Sequence, residues 1–198
     1  TGVQTCALPI SPMRKSWFKP LLATAVTVFS FGVASVAQAQ APLKMAYALS
    51  QTSHYGAGGD AFAKSLEASS QGKFKVQQFA NSALGGEREM LEAVQLGTQD
   101  MIITSTGPVG NFVPETRIVD IPYLFRDYDH ARKVLDGPIG QDILTKFPAK
   151  GLVAISWMEN GFRHITNSKR PVKTPDDVKG LKIRTMENKV HMEAFKAM

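Results

Sequence analysis

Arg163 and Arg184 are the residues whose type and placement best suit a definite chemistry. Arg184 stands near the end of the run Leu181-Lys182-Ile183-Arg184-Thr185. Arg163 follows Asn160-Gly161-Phe162, just after the continuously apolar Leu152–Trp157. If both runs are strands of an α/β sheet, the two arginines fall outside the carboxyl ends of those strands, where open α/β sheets bind ligands. A guanidinium grips a carboxylate through two parallel hydrogen bonds, a geometry that a lysine ammonium does not reproduce. Taken singly, a strand-end arginine is more often a structural ion pair or a solvated residue, and type and position do not decide between these readings.

Other chemistry-bearing patterns have simpler explanations. Gly56-Ala57-Gly58-Gly59-Asp60-Ala61 matches G-x-G-x-x-A, the dinucleotide fingerprint, between an expected strand and an expected helix. The gap from Leu49 to Gly56 is too long for the tight turn of that motif. Ala80, Asn81 and Ser82 stand where its ribose-binding acid belongs. What survives is a glycine-rich approach to a helix N-terminus, whose free N–H groups favour an anion. Ser70-Gln71-Gly72-Lys73 fits the S-x-x-K of acylating enzymes. That serine must open a buried helix, whereas Ser70 is placed to close one as a surface C-cap. The single cysteine is Cys6, and no G-x-S-x-G occurs. His54, His130, His164 and His191 are scattered and have no carboxylate or cysteine partners at ligand spacing, and His130 belongs to a charged, solvated helix. The expectation is a chain with no metal, no cofactor and no catalysis.

The elements that must position these groups follow from periodicity. Leu43–Leu49, Phe74–Phe79 and Asp100–Thr104 read as strands. Between them, Asp60–Ser70 places Phe62 and Leu66 one turn apart, and Glu87–Leu96 places Met90, Leu91 and Val94 on one face. Strand, helix, strand, helix, strand at this spacing predicts a parallel sheet with helices on its faces. A Gly/Pro loop, Gly107–Pro114, is then followed by a short strand near Ile118–Ile121. Two helices, Asp127–Leu135 and Ile139–Phe147, are divided by Gly137-Pro138. Leu152–Trp157 reads as a strand covered on both faces, Phe162–Thr166 as a further strand and Leu181–Thr185 as the last. Thr174-Pro175-Asp176-Asp177 opens a short helical turn with a threonine N-cap and proline at its first position.

The amino-terminal third carries a different signal. From Met13 a basic stretch precedes the apolar run Leu21–Val36 and then Ala37-Gln38-Ala39, the order of a secretory leader. The run is shorter than the roughly 20 residues that a membrane span needs. Cleavage before Gln40 is expected, with no lipid-anchoring cysteine at the new start. Residues 1–12 carry no charge and read as foreign to the gene product. The mature chain then has no cysteine and no disulfide. Its net charge falls from +6 to +3, because Arg14, Lys15 and Lys19 lie in the leader. Without a basic run or interleaved aromatics, a nucleic-acid partner is not supported. A terminal helix begun near Glu187 has no C-cap before Met198, and the sequence reads as a fragment. There is no internal repeat to suggest a structural array.

The run Ile121-Pro122-Tyr123-Leu124-Phe125-Arg126-Asp127-Tyr128-Asp129-His130-Ala131, followed by Gly180-Leu181-Lys182-Ile183-Arg184, resembles the solute-binding subunits of TRAP transporters, of the dicarboxylate-binding type. Phe62-Ala63-Lys64, Leu84-Gly85-Gly86-Glu87 and Asn160-Gly161-Phe162-Arg163 extend the resemblance from Leu43 to Met198. It implies the two-lobe α/β periplasmic binding protein fold. Residues 40–160 would form a nearly complete first lobe and residues 161–198 the start of a truncated second one, with an organic acid held between them. By the same resemblance Arg184 forms the salt bridge to the ligand carboxylate and Arg163 assists. Tyr47, Ser105 and Thr106 at strand ends, with His54 in the loop after the first strand, line the opposite wall. The implied partners are a small carboxylate and the integral membrane subunits of a TRAP transporter, served by a periplasmic monomer. Two alternatives are a binding protein of an ATP-driven importer or sensor, and a periplasmic hydrolase.

Overall fold

The computed structural model describes residues 41–198, so the readings of 1–12 as foreign and 13–39 as a leader lie outside the described residues. Three parallel strands, β1 (Leu43–Tyr47), β2 (Val76–Phe79) and β3 (Met101–Ile103), form a sheet in the order β2-β1-β3. Leu43 pairs with Val76 and Ala46 with Phe79 on one side, and Met45 with Met101 and Tyr47 with Ile103 on the other. The central strand is accordingly the most apolar at its carboxyl end, where Met45, Ala46 and Tyr47 are buried.

Pleating sends successive side chains to opposite faces, and each face has its own cover. Met45, Tyr47, Met101 and Ile103 pack with Tyr55 and Phe62 of helix α1 (His54–Ser69). On the other face Ile102 joins Leu91 and Val94 of α2 (Glu87–Gln95), together with Val109, Val113, Leu152 and Phe147. Full burial of side chains such as Leu91 and Val113 contributes about 1.5–3 kcal/mol each.

Helix α1 begins at His54 rather than near Asp60, capped by Ser53, whose Oγ accepts from the Gly56 N–H. The glycine-rich stretch is therefore the first turns of the helix and not an approach to it, which overturns its reading as an anion-binding N-terminus. The glycines serve close packing. A Cβ at Gly56 would lie 1.9 Å from the Gln51 carbonyl oxygen, and one at Gly59 would lie 2.4 Å from Gln78 Oε1. Ser70 is the C-cap of α1, as its position beside a glycine turn suggested.

After β3 the chain forms a short helix α3 (Thr106–Val109) and a 3-10 helix, Pro114–Asp120, where a strand was expected near Ile118–Ile121. Proline at the first position presets helical φ and removes a donor that a ladder would need. Helices α4 (Tyr128–Leu135) and α5 (Pro138–Leu144) follow, then the 3-10 turns Pro148–Lys150 and Pro175–Val178, and finally α6 (Lys189–Ala197). The Thr174 capping box is present, with Thr174 and Asp177 satisfying each other's backbone donors.

Three expected strands do not form. Leu152–Trp157, Phe162–Thr166 and Leu181–Thr185 carry no ladder among the described residues, and Val153 and Ile155 are 81% and 65% exposed. A strand exists only against a neighbour that takes its N–H and C=O groups. The sheet has three members, and none of these segments lies alongside one. The sequence pattern recorded a capacity for pairing, not the pairing itself.

Candidate functional site

A cavity of about 1150 Å³ lies where α3, the end of the Pro114–Asp120 turn, α4 and α6 meet the extended stretches around residues 157–169 and 181–186. Arg163, Arg184 and Thr106 line it together. The turn Ile121–Phe125 forms another part of the wall. Within it Tyr123 is 91% exposed and holds a φ of 61°, a left-handed backbone that a non-glycine residue adopts only at a cost.

Both cavity arginines are exposed, and among the described residues neither guanidinium makes a hydrogen bond or an ion pair. Their neighbours differ. Arg132 binds Glu159 at 2.6 Å and Asp129 at 3.2 Å, Arg88 binds Glu92 at 3.1 Å, and Arg170 donates to the carbonyls of Asp177 and Lys179. The charge of Arg163 is felt across the site. Burial, helped by Glu87, pushes the Tyr55 hydroxyl up to about 12, and Arg163 works against that rise. The same charge adds to burial in lowering His191, against an opposing pull from Asp120.

One wall is built from an interlocked polar group. Asp120 is nearly buried and accepts from Thr106 Oγ1 at 2.5 Å and from Asn188 Nδ2 at 2.6 Å. Asn188 also donates to the Gly107 carbonyl at 3.1 Å, while its own oxygen caps α6 by accepting from the N–H groups of Val190 and His191. His191, in the first turn of α6, places Nε2 3.8 Å from Asp120 Oδ1. This network joins α3, the 3-10 turn and α6 into one rigid piece, because every member but the imidazole is fully engaged.

The remaining sequence candidates lie outside that lining. Tyr47 is fully buried at the end of β1 and donates its hydroxyl to Gln78 Oε1 at 2.7 Å. Ser105 N-caps α3 and is held by Glu87, whose carboxylate accepts from its N–H at 2.8 Å and from its hydroxyl at 3.3 Å. His54 is the first residue of α1 rather than part of a loop. It reaches the cavity at one remove, with Nε2 2.9 Å from Oδ1 of the lining residue Asn160. Sequence reasoning missed Asp120 as a wall residue, missed Asn188 and Glu87 as the groups that hold Asp120 and Ser105 from behind, and left His191 among scattered histidines. The one available signal was Asn188 standing before a helical pattern, as an N-cap does. Among the described residues no three metal-binding side chains converge.

Residues 45–198 match the family model for "Bacterial extracellular solute-binding protein, family 7". The 2,3-diketo-L-gulonate-binding periplasmic protein YiaO of Escherichia coli is 39% identical over 154 residues, covering 78% of this chain and 47% of its own length. A solved TRAP periplasmic solute-binding protein from Polaromonas sp. JS666, bound to D-erythronate, superposes with a TM-score of 0.78 at 62% identity. One from Bordetella bronchispeptica, with its bound density interpreted as pantoate, gives 0.78 at 66% identity. Each covers 79% of this chain and 52% of the solved one. The chain thus spans about half the length of the relatives it matches. Its α/β sheet and its order of motifs are those of the TRAP periplasmic binding proteins, and the chain belongs to bacterial extracellular solute-binding protein family 7.

Proposed function

We propose that this chain is part of a periplasmic solute-binding protein that captures a small organic acid for a TRAP-type membrane transporter and performs no catalysis. The observation that carries this reading is that Arg163 and Arg184, whose guanidiniums have no partner among the described residues, line one cavity, where the third lining arginine, Arg132, is engaged by Glu159 and Asp129. Uncompensated cations facing a common space, Lys169 and Lys182 beside the two arginines, suit an anion, and a planar fork suits a carboxylate. In this reading Arg184 is the anchor, Arg163 its assistant and Thr106 part of the facing wall. Ser105 and Tyr47 brace that wall from behind, and His54 sets Asn160 at the rim.

The same reading takes residues 13–39 as an export leader, 40–160 as the first lobe and 161–198 as the opening of the second. Closure of the lobes would take the carboxylate and the arginines out of water together. The integral membrane subunits receive the ligand, and the binding protein acts as a monomer. The ligands of the relatives, D-erythronate and 2,3-diketo-L-gulonate among them, support an organic acid as cargo. The test is a thermal-shift screen of the protein, expressed at the length of its relatives, against organic acids and neutral sugars of equal size. A ligand at a hundred times its Kd stabilises the folded state by about 2.7 kcal/mol, a readily measured rise in Tm. A rise with acids alone is expected, and a rise with neutral sugars alone refutes the reading.

A further inference from the structure

We infer that Arg132 is a positioning residue for Arg163: through Glu159 and Tyr128 it holds the segment before Arg163, so that this guanidinium faces the cavity before an acid enters. The inference rests on the carboxylate reading above and deepens it by naming what aims the assisting arginine.

Among the described residues, no main-chain hydrogen bond joins positions 153–166 to the rest of the molecule. Side chains hold this stretch instead, and they reach two helices. Met158 lies against α1, where a Cβ on Gly58 would stand 2.5 Å from its Cε, and Asn160 Oδ1 is 2.9 Å from His54 Nε2. Glu159 and Phe162 reach α4. Nε and Nη2 of Arg132 lie 2.9 and 2.6 Å from Glu159 Oε2, and the Phe162 ring meets the Tyr128 ring edge-to-face with centroids 4.8 Å apart. Arg132 supports that second contact as well, since its guanidinium lies 5.8 Å from the centre of the Tyr128 ring, within cation–π range. One side chain therefore stands behind both attachments to α4.

Gly161 makes these attachments matter. Its φ of +87° is a left-handed conformation open to glycine and costly for other residues, and a Cβ there would meet nothing nearer than Tyr128 Oη at 3.6 Å, so the backbone has room to turn at this point. The contact of Phe162 with Tyr128 lies beyond that joint, and Arg163 follows directly. The direction of Arg163 is thus set by whether Phe162 stays seated. Arg132 also lines the cavity, but its guanidinium is taken by Glu159 and, at 3.2 Å, by Asp129, which suits it to support rather than to grip a ligand. Fixing a group before binding spares the ordering cost that otherwise weakens the complex.

The experiment is a double-mutant cycle read by calorimetry on the protein at the length of its relatives, with D-erythronate and pantoate as probes. Arg132→Gln should weaken the better-bound probe roughly threefold to tenfold. Its melting temperature should stay near native, as expected for an exposed ion pair. In an Arg163→Ala background the same substitution should change Kd by less than about twofold, because the cation it aims is gone. Phe162→Ala changes no charge and should follow the same pattern, which separates aiming from the loss of a positive charge. Arg132→Lys keeps the ion pair and the charge over Tyr128 and should bind within about twofold of native. An equal loss in both backgrounds overturns the positioning role, because Arg132 then acts on the acid directly. Unchanged affinity in Arg132→Gln overturns it too, as does a loss that only tracks a fall in melting temperature, and all three leave the carboxylate reading intact. If Arg163→Ala alone binds as tightly as native, or the native protein binds neither probe, the carboxylate reading fails and this inference with it.

Discussion

Replacing Arg184 separates binding from stability, because its guanidinium has no partner among the described residues. It is exposed, and among the described residues its guanidinium contacts no carboxylate or carbonyl. Its removal therefore leaves no orphaned group behind, and the change in folding stability should stay within about 0.5 kcal/mol. The bound state is different. A ligand carboxylate enclosed between lobes loses its water, and deleting the cation that replaced that water typically costs about 2–5 kcal/mol. At about 1.4 kcal/mol per tenfold change, Arg184→Ala should raise Kd by a factor of about thirty to several thousand. Arg184→Lys keeps the charge but not the fork, and should still weaken binding at least about tenfold. Calorimetry with a thermal melt of each variant reads both quantities. An unchanged Kd, or a loss of affinity accompanied by an equal loss of stability in the free protein, would refute Arg184 as an anchor poised for a ligand.

Three further outcomes follow from the geometry. Gly56→Ala should destabilise the fold by at least about 1–3 kcal/mol despite alanine's higher helix propensity, because the new Cβ meets the Gln51 backbone. Gly58→Ala should be far milder, since there the Cβ meets only the mobile end of Met158, and denaturant melts compare the two. Asn188→Ala removes the α6 cap and strands the Gly107 carbonyl and one oxygen of Asp120, a loss of about 2–4 kcal/mol on the same assay. In an ultraviolet pH titration, Tyr55 should ionise only at about 12. Its contribution to stability is complete below the unfolded tyrosine value of about 10 and is lost as pH rises towards 12, because the unfolded chain gives up that proton first. Arg163→Ala should move the transition higher still, since the opposing positive charge is gone.

Local pattern was enough for the elements whose partners are close in sequence. The three strands of the sheet, α2 with Met90 and Leu91 inward, and the Thr174 capping box all stand where periodicity and cap residues placed them. The start of α1 was misjudged because glycine reads as a helix breaker unless one knows that Gln51 and Gln78 approach too closely for any side chain. Leu152–Trp157, Phe162–Thr166 and Leu181–Thr185 have strand composition but no adjoining strand among the described residues, so composition alone could not make them strands.

The site divides in the same way. The two arginines were legible because their chemistry and the motifs around them are local properties of the chain. That they stand unpaired in a common cavity was not, since a partner for a guanidinium can come from anywhere along the sequence. The wall opposite depends on contacts such as Asn188 with Asp120 and with Gly107, 68 and 81 positions apart, and on burial that lowers the pKa of His191. The amino-acid sequence by itself therefore determined the family, the parallel sheet and the cations offered to a ligand. Only the tertiary structure decided which polar groups those cations share a cavity with, because long-range contacts and desolvation exist only once the chain has closed on itself.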